Sequence, residues 1–448
     1  MEFKLRNLKG TKDYLPEEQF VRNNIKQALE EVFRCYGYLP LETPTLCYFD
    51  VLSSKYAGGA EILKEVYTLQ DQGQRELGLR YDLTVPFAKV IGMNPDIRMP
   101  FKRYEIGKVF RDGPVKLGRN REFTQCDVDV VGISSMLAEA ELMAMVFEAF
   151  DRLKLEVFVS YNNRKLLSGI IESCKVEADL VNEVILSMDK LAKTGEEAVR
   201  KELTDKGLDD RCISELFAAL GAVVEDLPGY VAANTGNPLI AEGGKELAEL
   251  NQLLDSLNIR SAMRFDPFLA RGLDIYTGTV FEVFLRDGSI TSSIAGGGRY
   301  DKIIGGFLDN GREYPAVGLS FGLDVIYTAL TLQAKQSTAS PLQLLILPLG
   351  TEAEALKTAC NLRSKGYAVD VEMTGRKLKK SMEIANRENI PFVLVLGEQE
   401  LTSGRAKLKN MKTGEESNIM LAHLAEAMQN AAASRAACEE IDFPLGIH

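Results

Sequence analysis

The stretch KVFRDGPVKLGRNREFTQCDVDVVG, residues 108–132, is the most telling part of this chain. Two alternating runs flank the polar loop DGPVKLGRN, so 101–112 and 121–132 are expected to be strands joined as a hairpin. Residues two apart on a strand share a face, which would line up Arg119, Arg121, Phe123, Gln125, Asp127 and Asp129. Guanidinium matches phosphate oxygens, an aromatic ring stacks on a purine, and an amide with a carboxylate holds an ammonium group. Such a row suits a nucleotide beside an amino acid; by itself it reads equally well as a solvated hairpin. From Phe101 to Arg121 stand seven basic residues (Lys102, Arg103, Lys108, Arg111, Lys116, Arg119, Arg121) and two acidic ones, Glu105 and Asp112, in a chain whose net charge is −11.

That acidic total argues against coating nucleic acid through bulk electrostatics and leaves local basic surfaces open. With 448 residues the chain is long enough for two or three domains. No apolar run approaches the roughly 18 residues of a membrane span, and MEFKLRNLKGTKDYLPEE lacks the apolar region of a secretory signal, so a soluble cytoplasmic protein is expected. The seven cysteines form no CxxC pair, unlike a disulfide framework or a zinc site. Only His423 and His448 are present, which disfavours a Ser-His-Asp triad or a multi-histidine metal centre. Chemistry therefore falls to arginine, carboxylates, tyrosine or a bound metal.

Upstream of the hairpin, VRNNIKQALEEVFRCYGY (21–38) has helical periodicity that stops at Gly37, and LPLETPTL (39–46) reads as extended. Residues 77–90 read as strand, turn and helix start. Downstream, residues 172–250 are charged, helix-patterned and poor in β-branched residues, as in a helical insertion between two β-rich halves. Strand signals return over 261–330, with a hairpin expected about Arg286–Ser289. QSTASPLQ (336–343) has linker composition, and β-α-β-α-β alternation follows, as in a small open α/β domain. The expected divisions are 1–171, 172–255, 256–332, a linker over 333–343, and 344–448.

Two more segments stand out. FLARGLDIYTGTVFEVF (268–284) sets Arg271 and Asp274 at a turn before Tyr276 and an alternating strand. SIAGGGRYDKIIGGF (293–307) has three glycines before Arg299, Tyr300 and Asp301, a run that lets backbone approach a ligand or cross a packed site. Gly306 and Gly311 have P-loop spacing, but Arg312 and Glu313 stand where Lys and Ser/Thr belong. Singly, each is also a tight turn with a core tyrosine.

In this order the segments resemble class II aminoacyl-tRNA synthetases, specifically the histidyl-tRNA synthetase family, over nearly the whole chain. LKGTKDYLPEE (8–18) is similar to the family's opening, LETPTL to motif 1 at a dimer interface, and LRYDLTVPFAKV (79–90) to a histidine-site segment. The hairpin resembles motif 2, LARGLDIYTGTVFEVF and AGGGRYD the two histidine signatures, PAVGLSFGLDVI (315–326) motif 3, and 375–401 the anticodon-binding domain. The resemblance implies an α+β fold: an antiparallel-sheet catalytic core of the class II synthetase type with a helical insertion, and a C-terminal α/β anticodon-binding domain.

It also implies roles. Arg111 and Arg271 would flank the α-phosphate of ATP, Phe123 would stack on adenine, and Arg119 and Arg121 would lie near the nucleotide. Asp82, Leu83, Thr84, Arg111, Gln125, Asp129 and Arg271 would hold L-histidine, with Ile275, Tyr276 and Tyr300 lining its ring pocket. Mg²⁺ would ride on the ATP phosphates, with no metal ligands from the protein alone. The basic cluster is then a nucleotide cradle. The implied partner is tRNA(His), bound by a homodimer with no membrane attachment, and the clusters Arg376, Lys377, Lys379, Lys380 and Arg405, Lys407, Lys409, Lys412 would meet RNA. Two positions depart from the family: Ile275-Tyr276 replaces paired tyrosines, and Val325 follows Asp324 where motif 3 has arginine, with Arg312 as a cation that could stand in. Val325 favours the alternative of a non-catalytic paralogue, a histidine-sensing regulatory subunit of ATP phosphoribosyltransferase; Arg111, Arg271 and the C-terminal domain favour the ligase.

Overall fold

The computed structural model describes residues 4–53, 63–271, 275–333 and 340–429. Asp274, linker residues 334–339 and the two chain-end residues Cys438 and His448 lie outside them. The chain divides into two compact units, one of residues 1–13 with 25–333 and the other of 14–24 with 334–448.

In the first unit the strands are β1 Leu39–Pro40, β2 Leu46–Tyr48, β3 Thr68–Gln70, β4 Glu76–Leu79, β5 Phe101–Phe110, β6 Glu122–Val131, β7 Val157–Asn163, β8 Met263–Phe265, β9 Thr279–Leu285, β10 Ala295–Arg299 and β11 Ala316–Gly322. Eight of them form one sheet in the order β1-β5-β6-β11-β10-β9-β7-β8. The six inner strands are antiparallel, and β1 and β8 lie parallel at the edges. A small sheet, β2-β4-β3, stands apart.

The period of two separates the faces of the large sheet. One face is apolar: Phe33, from helix Pro16–Cys35, lies 5.6 Å between ring centroids from both Tyr104 of β5 and Phe321 of β11, and Phe150 of helix Leu137–Arg152 is 5.7 Å from Phe321. Helices thus cover that face, with Cys126, Val128 and Phe281 buried beneath them. The other face carries Arg103, Glu105, Asp127, Asp129, Ser320 and Glu282, the polar members of the same strands. Helix Pro16–Cys35 ends where Gly37 takes φ 78°, in the left-handed region that favours glycine.

Between β7 and β8 the chain is helical. Helix Arg164–Ser173 and helix Pro238–Ser256 approach closely: a Cβ on Gly243 would lie 2.9 Å from the Asn163 Oδ1. Asn163, Asp209, Asp226 and Asn237 each cap a helix by accepting backbone N–H bonds.

The second unit has β12 Leu344–Leu349, β13 Val369–Val371, β14 Phe392–Gly397, β15 Arg405–Asn410 and β16 Glu416–Met420, ordered β13-β12-β14-β15-β16. The first three are parallel and the last two antiparallel. Leu344, Ile346, Ala355, Ala359 and Leu394 form its core. Strand-helix alternation persists to β15, with helix Glu398–Ser403 between β14 and β15, and then gives way to the β15-β16 hairpin, which the sequence pattern had not distinguished.

Candidate active site

The polar face of the large sheet is ordered in cross-strand rows, because directly opposed residues share a face. Register sets Glu105, Asp127, Ser320, Gly296 and Glu282 side by side across β5, β6, β11, β10 and β9. The adjacent row runs Arg103, Asp129, Gly318, Gly298 and Val280. Glycines thus leave part of the floor without side chains, and residues from the connecting segments lie across it. A Cβ on Gly296 would collide with the Arg271 guanidinium, one on Gly298 would be 2.8 Å from the Tyr276 ring, and one on Gly318 would collide with the Asp129 carboxylate. The glycine run is therefore a bed for Arg271 and Tyr276.

Arg271 has φ 43°, uncommon for a residue with a side chain. Its Nη1 donates to Glu282 Oε1 at 2.8 Å and its Nη2 to the Tyr276 hydroxyl at 3.4 Å. Arg111, at the end of β5, donates Nε to the Tyr81 carbonyl at 3.0 Å and holds its guanidinium 5.2 Å from the Phe123 ring centroid. Burial pulls the Arg111 pKa down, Asp82 and Glu65 oppose this, and the charge of Arg271 adds to the lowering. The two arginines, 160 positions apart in sequence, therefore sense each other across the site.

The carboxylates lie deeper. Asp82 is buried before helix Thr84–Met93 and accepts from the Val85 N–H at 3.0 Å, a favourable place for negative charge. Burial nevertheless pushes its pKa up to about 6. Asp129 accepts from the Tyr300 hydroxyl at 2.5 Å, and its other oxygen lies 2.7 Å from Arg103 Nη2. Its pKa is raised, by burial first, with Arg103 and Tyr300 opposing. Gln125 donates Nε2 to Ser320 Oγ at 2.7 Å. Leu83 is fully buried, its carbonyl accepting from Arg103 at 3.0 Å, and Thr84 is half-buried in the helix's first turn. Ile275, Tyr276 and Tyr300 pack with Phe87 and Ile303 in one apolar cluster beside these groups.

Several expectations need correction. Arg119 does not continue the β6 series: Lys116 and Arg119 pair through their backbones, Gly118 takes φ 70°, and the strand begins only at Glu122. Arg119 is exposed in this loop, whereas Arg121 bridges Asp112 at 3.1 Å and the Gly113 carbonyl at 3.2 Å. The basic cluster is not all cradle. Lys102 pairs with Glu141 at 2.5 Å, Lys108 with Glu122, and Arg103, with no exposed surface, pairs with Asp129. Arg299 faces the helical side, where Glu139 binds it through both carboxylate oxygens at 2.7 Å. Val325 faces the loop, 3.5 Å from where a Cβ on Gly118 would sit, whereas Arg312 is exposed after helix Ile303–Leu308. The connection between β9 and β10 runs over 286–294, longer than the turn expected at Arg286–Ser289.

Sequence reasoning missed Arg80, Glu105 and Glu282 as parts of the site. Arg80 donates to Glu105 at 2.8 Å and to the Lys108 carbonyl at 2.9 Å, while Thr43 donates twice to Glu105. Their signal was available: Glu105 is two residues from Arg103 on β5, and Glu282 alternates with Phe281 and Val283 on a strand already recognised. Among the described residues no group of three His, Cys, Asp or Glu side chains is arranged to hold a metal ion.

The model of the histidyl-tRNA synthetase family matches residues 10–326, and that of an anticodon binding domain matches 343–431. The chain belongs to the histidyl-tRNA synthetase family. It is 55% identical over 425 residues to histidine–tRNA ligase 1 of Bacillus cereus, covering 94% of this chain and 99% of that relative. The solved histidyl-tRNA synthetase of a Nostoc species is similar with a TM-score of 0.83 and 28% identity, over 96% of this chain and 100% of that one. A structure from Bacillus halodurans described as an ATP phosphoribosyltransferase regulatory subunit/histidyl-tRNA synthetase shares the fold, with a TM-score of 0.73 and 22% identity over 89% of this chain and 99% of that one. The antiparallel-rich class II core and the C-terminal domain expected of a histidyl-tRNA synthetase are both present.

Proposed function

We propose that this chain joins L-histidine to tRNA(His) at the expense of ATP, acting as a homodimer in the cytoplasm. The observation that carries the mechanism is the convergence of Arg111 and Arg271 beside Asp82, Gln125 and Asp129, on a floor cleared by glycine. In the first step a histidine carboxylate oxygen attacks the α-phosphorus of ATP; the bond to the bridging oxygen breaks and pyrophosphate leaves. Two anionic groups must be brought together, so positive charge fixed in advance lowers the barrier. Arg271 is held by Glu282 and Tyr276, and Arg111 by the Tyr81 carbonyl, so neither need reorganise to meet the phosphate. In the second step a terminal ribose hydroxyl of the tRNA attacks the carbonyl and AMP leaves.

Phe123 is the platform for adenine, with Arg119 and Arg121 near the nucleotide. Val325 removes one cation from the ATP tail, and the exposed loop that faces it carries Lys116 and Arg119. Mg²⁺, when bound with ATP, neutralises the β- and γ-phosphates. Asp82, Leu83, Thr84, Gln125 and Asp129 receive histidine, and Ile275, Tyr276 and Tyr300 enclose its ring. Exposed Leu39, Leu46 and Tyr48, on and beside the segment resembling motif 1, support a dimer surface there. Among the described residues no helix is long and apolar enough to cross a membrane.

The regulatory-subunit reading has Val325 in its favour; Arg111, Arg271 and the anticodon-domain match support the ligase instead. The test is charging of tRNA(His) by the purified chain with each of the proteinogenic amino acids. Attachment of histidine alone is expected. A folded protein that binds histidine yet charges no tRNA would overturn the proposal.

A further inference from the structure

Arg271 holds a backbone conformation that its residue type disfavours. Its φ of 43° lies in the left-handed region, which a residue with a side chain keeps only where its surroundings over-determine it. Glu282 at 2.8 Å and the Tyr276 hydroxyl at 3.4 Å fix the guanidinium. Both act on the tip of the side chain, and the backbone is held from another direction.

The end of β7 supplies that hold. Asn162, 1% exposed, donates Nδ2 to the Pro267 carbonyl at 3.0 Å and to the Leu269 carbonyl at 2.9 Å, and the Asp266 N–H donates to the Tyr161 carbonyl at 3.0 Å. Arg164, which opens helix Arg164–Ser173 and is 6% exposed, donates its backbone N–H to the Gly278 carbonyl at 2.8 Å. Its Nη1 donates to the Ala270 carbonyl at 3.4 Å and its Nη2 to Asn182 Oδ1 at 3.1 Å. Asn182 belongs to helix Val181–Met188, within the helical stretch between β7 and β8. One guanidinium thus spans the gap between that stretch and the peptide before Arg271. Because a peptide group is planar, holding the Ala270 carbonyl also holds the Arg271 nitrogen, and rotation about the bond that follows is the φ of Arg271.

We propose that Arg164 is a positioning residue for adenylate formation: it seats Arg271 by fixing the peptide before it, and the helical insertion, through Asn182, holds Arg164 in place. The planar fork of a guanidinium presents donors to two separated acceptors at once, which the single ammonium of a lysine does not. This inference rests on the histidine-activating function proposed above and adds a supporting residue to it. Charge placed in advance at the α-phosphate acts only if it stays in place, so a small displacement of Arg271 is costly to the rate.

The test is a double-mutant cycle on histidine-dependent ATP–pyrophosphate exchange by the full-length chain carrying Arg164→Ala, Arg271→Ala or both. Thermal unfolding of each protein reports its fold, and labelled pyrophosphate keeps a strongly reduced rate readable. Arg164→Ala alone is expected to lower the exchange rate constant about tenfold or more, but by less than about twofold where Arg271 is already alanine, because the residue it seats is gone. A merely structural role would lower exchange by the same factor in both backgrounds. That outcome, or no loss in the single variant, would overturn the inference. Should Arg164→Ala fail to fold, Asn182→Ala takes its place in the cycle, since Asn182 is exposed. A loss of about threefold or more that needs Arg271 is then expected, and a loss that is absent or equal in both backgrounds overturns the inference. A folded wild type without exchange would overturn the proposed function itself, whereas additive losses touch only Arg164.

Discussion

Asp127 and Glu139 are both buried carboxylates, and their surroundings give them opposite consequences for stability. Folded Asp127 retains its proton to about pH 8, whereas an unfolded aspartate releases it at roughly pH 4. The native state thus binds more protons between those values, and wild-type stability should fall as pH rises through that window. Asp127→Asn removes this dependence, so urea unfolding at about pH 5 and about pH 8 should show the variant gaining on wild type at the higher pH; an equal difference at both would contradict it. Glu139, by contrast, has no exposed surface and holds Arg299 through both oxygens at 2.7 Å. Glu139→Gln would leave that guanidinium Asp301 at 3.4 Å and the Ile133 and Ser135 carbonyls, and the weakened charge-assisted pair should cost about 1.5–3 kcal/mol, measurable by denaturant unfolding. The sequence displayed these residues but not their allegiances. Period two lines up Gln125, Asp127 and Asp129 with no further information, but whether Arg103 meets a nucleotide or Asp129 depends on the register between β5 and β6, which no local pattern encodes.

Among the elements, β10 is the strand on which the site depends. A Cβ on Gly297 would strike the Gly318 carbonyl of β11, a backbone group that cannot move without breaking the sheet. Gly297→Ala is expected to cost about 1–3 kcal/mol or more, whereas at Gly322 an added Cβ finds the Ile294 carbonyl at 3.4 Å and Val325 at 3.6 Å, ordinary contacts, so Gly322→Ala should change stability by less than about 1 kcal/mol. Thermal unfolding of the two variants makes the comparison directly. The strands, the hairpin and the helical stretch were legible because their periodicities are strong: Phe101–Phe110, Glu122–Val131 and the helices between 181 and 256 fall where the alternation or the helical spacing ends. Arg119 was misread because alternation was carried past the point where Gly118 turns the chain. The short edge strands Leu39–Pro40 and Met263–Phe265 owe their existence to neighbouring strands rather than to their own sequence.

For the molecule as a whole, the acidic total of −11 and the local basic clusters describe different jobs. In the second unit Lys407 and Lys409 pair with Glu416, at 3.8 and 3.3 Å, whereas Lys377, Lys379 and Lys380 lie exposed at the start of helix Leu378–Arg387. Neutralising Lys377, Lys379 and Lys380 together should weaken tRNA binding and flatten its salt dependence, by a slope of about 0.7–0.9 for each phosphate these lysines neutralise, while histidine-dependent pyrophosphate exchange is retained. An unchanged salt slope would assign RNA binding to another surface. The domain that carries these residues was legible from its strand-helix alternation; which of its cations face RNA was not, because pairing with Glu416 emerges only once β15 and β16 are aligned.

Whether Arg111 and Arg271 form one site for adenylate formation is decided by histidine-dependent ATP–pyrophosphate exchange in wild type and in Arg271→Ala. Exchange by the wild type is expected, with a loss of about a hundredfold or more in the variant and the fold retained, because fixed positive charge at the α-phosphate is removed. Exchange that survives the substitution undiminished would contradict the assignment of Arg271, and a folded wild type with no exchange would contradict adenylate formation altogether.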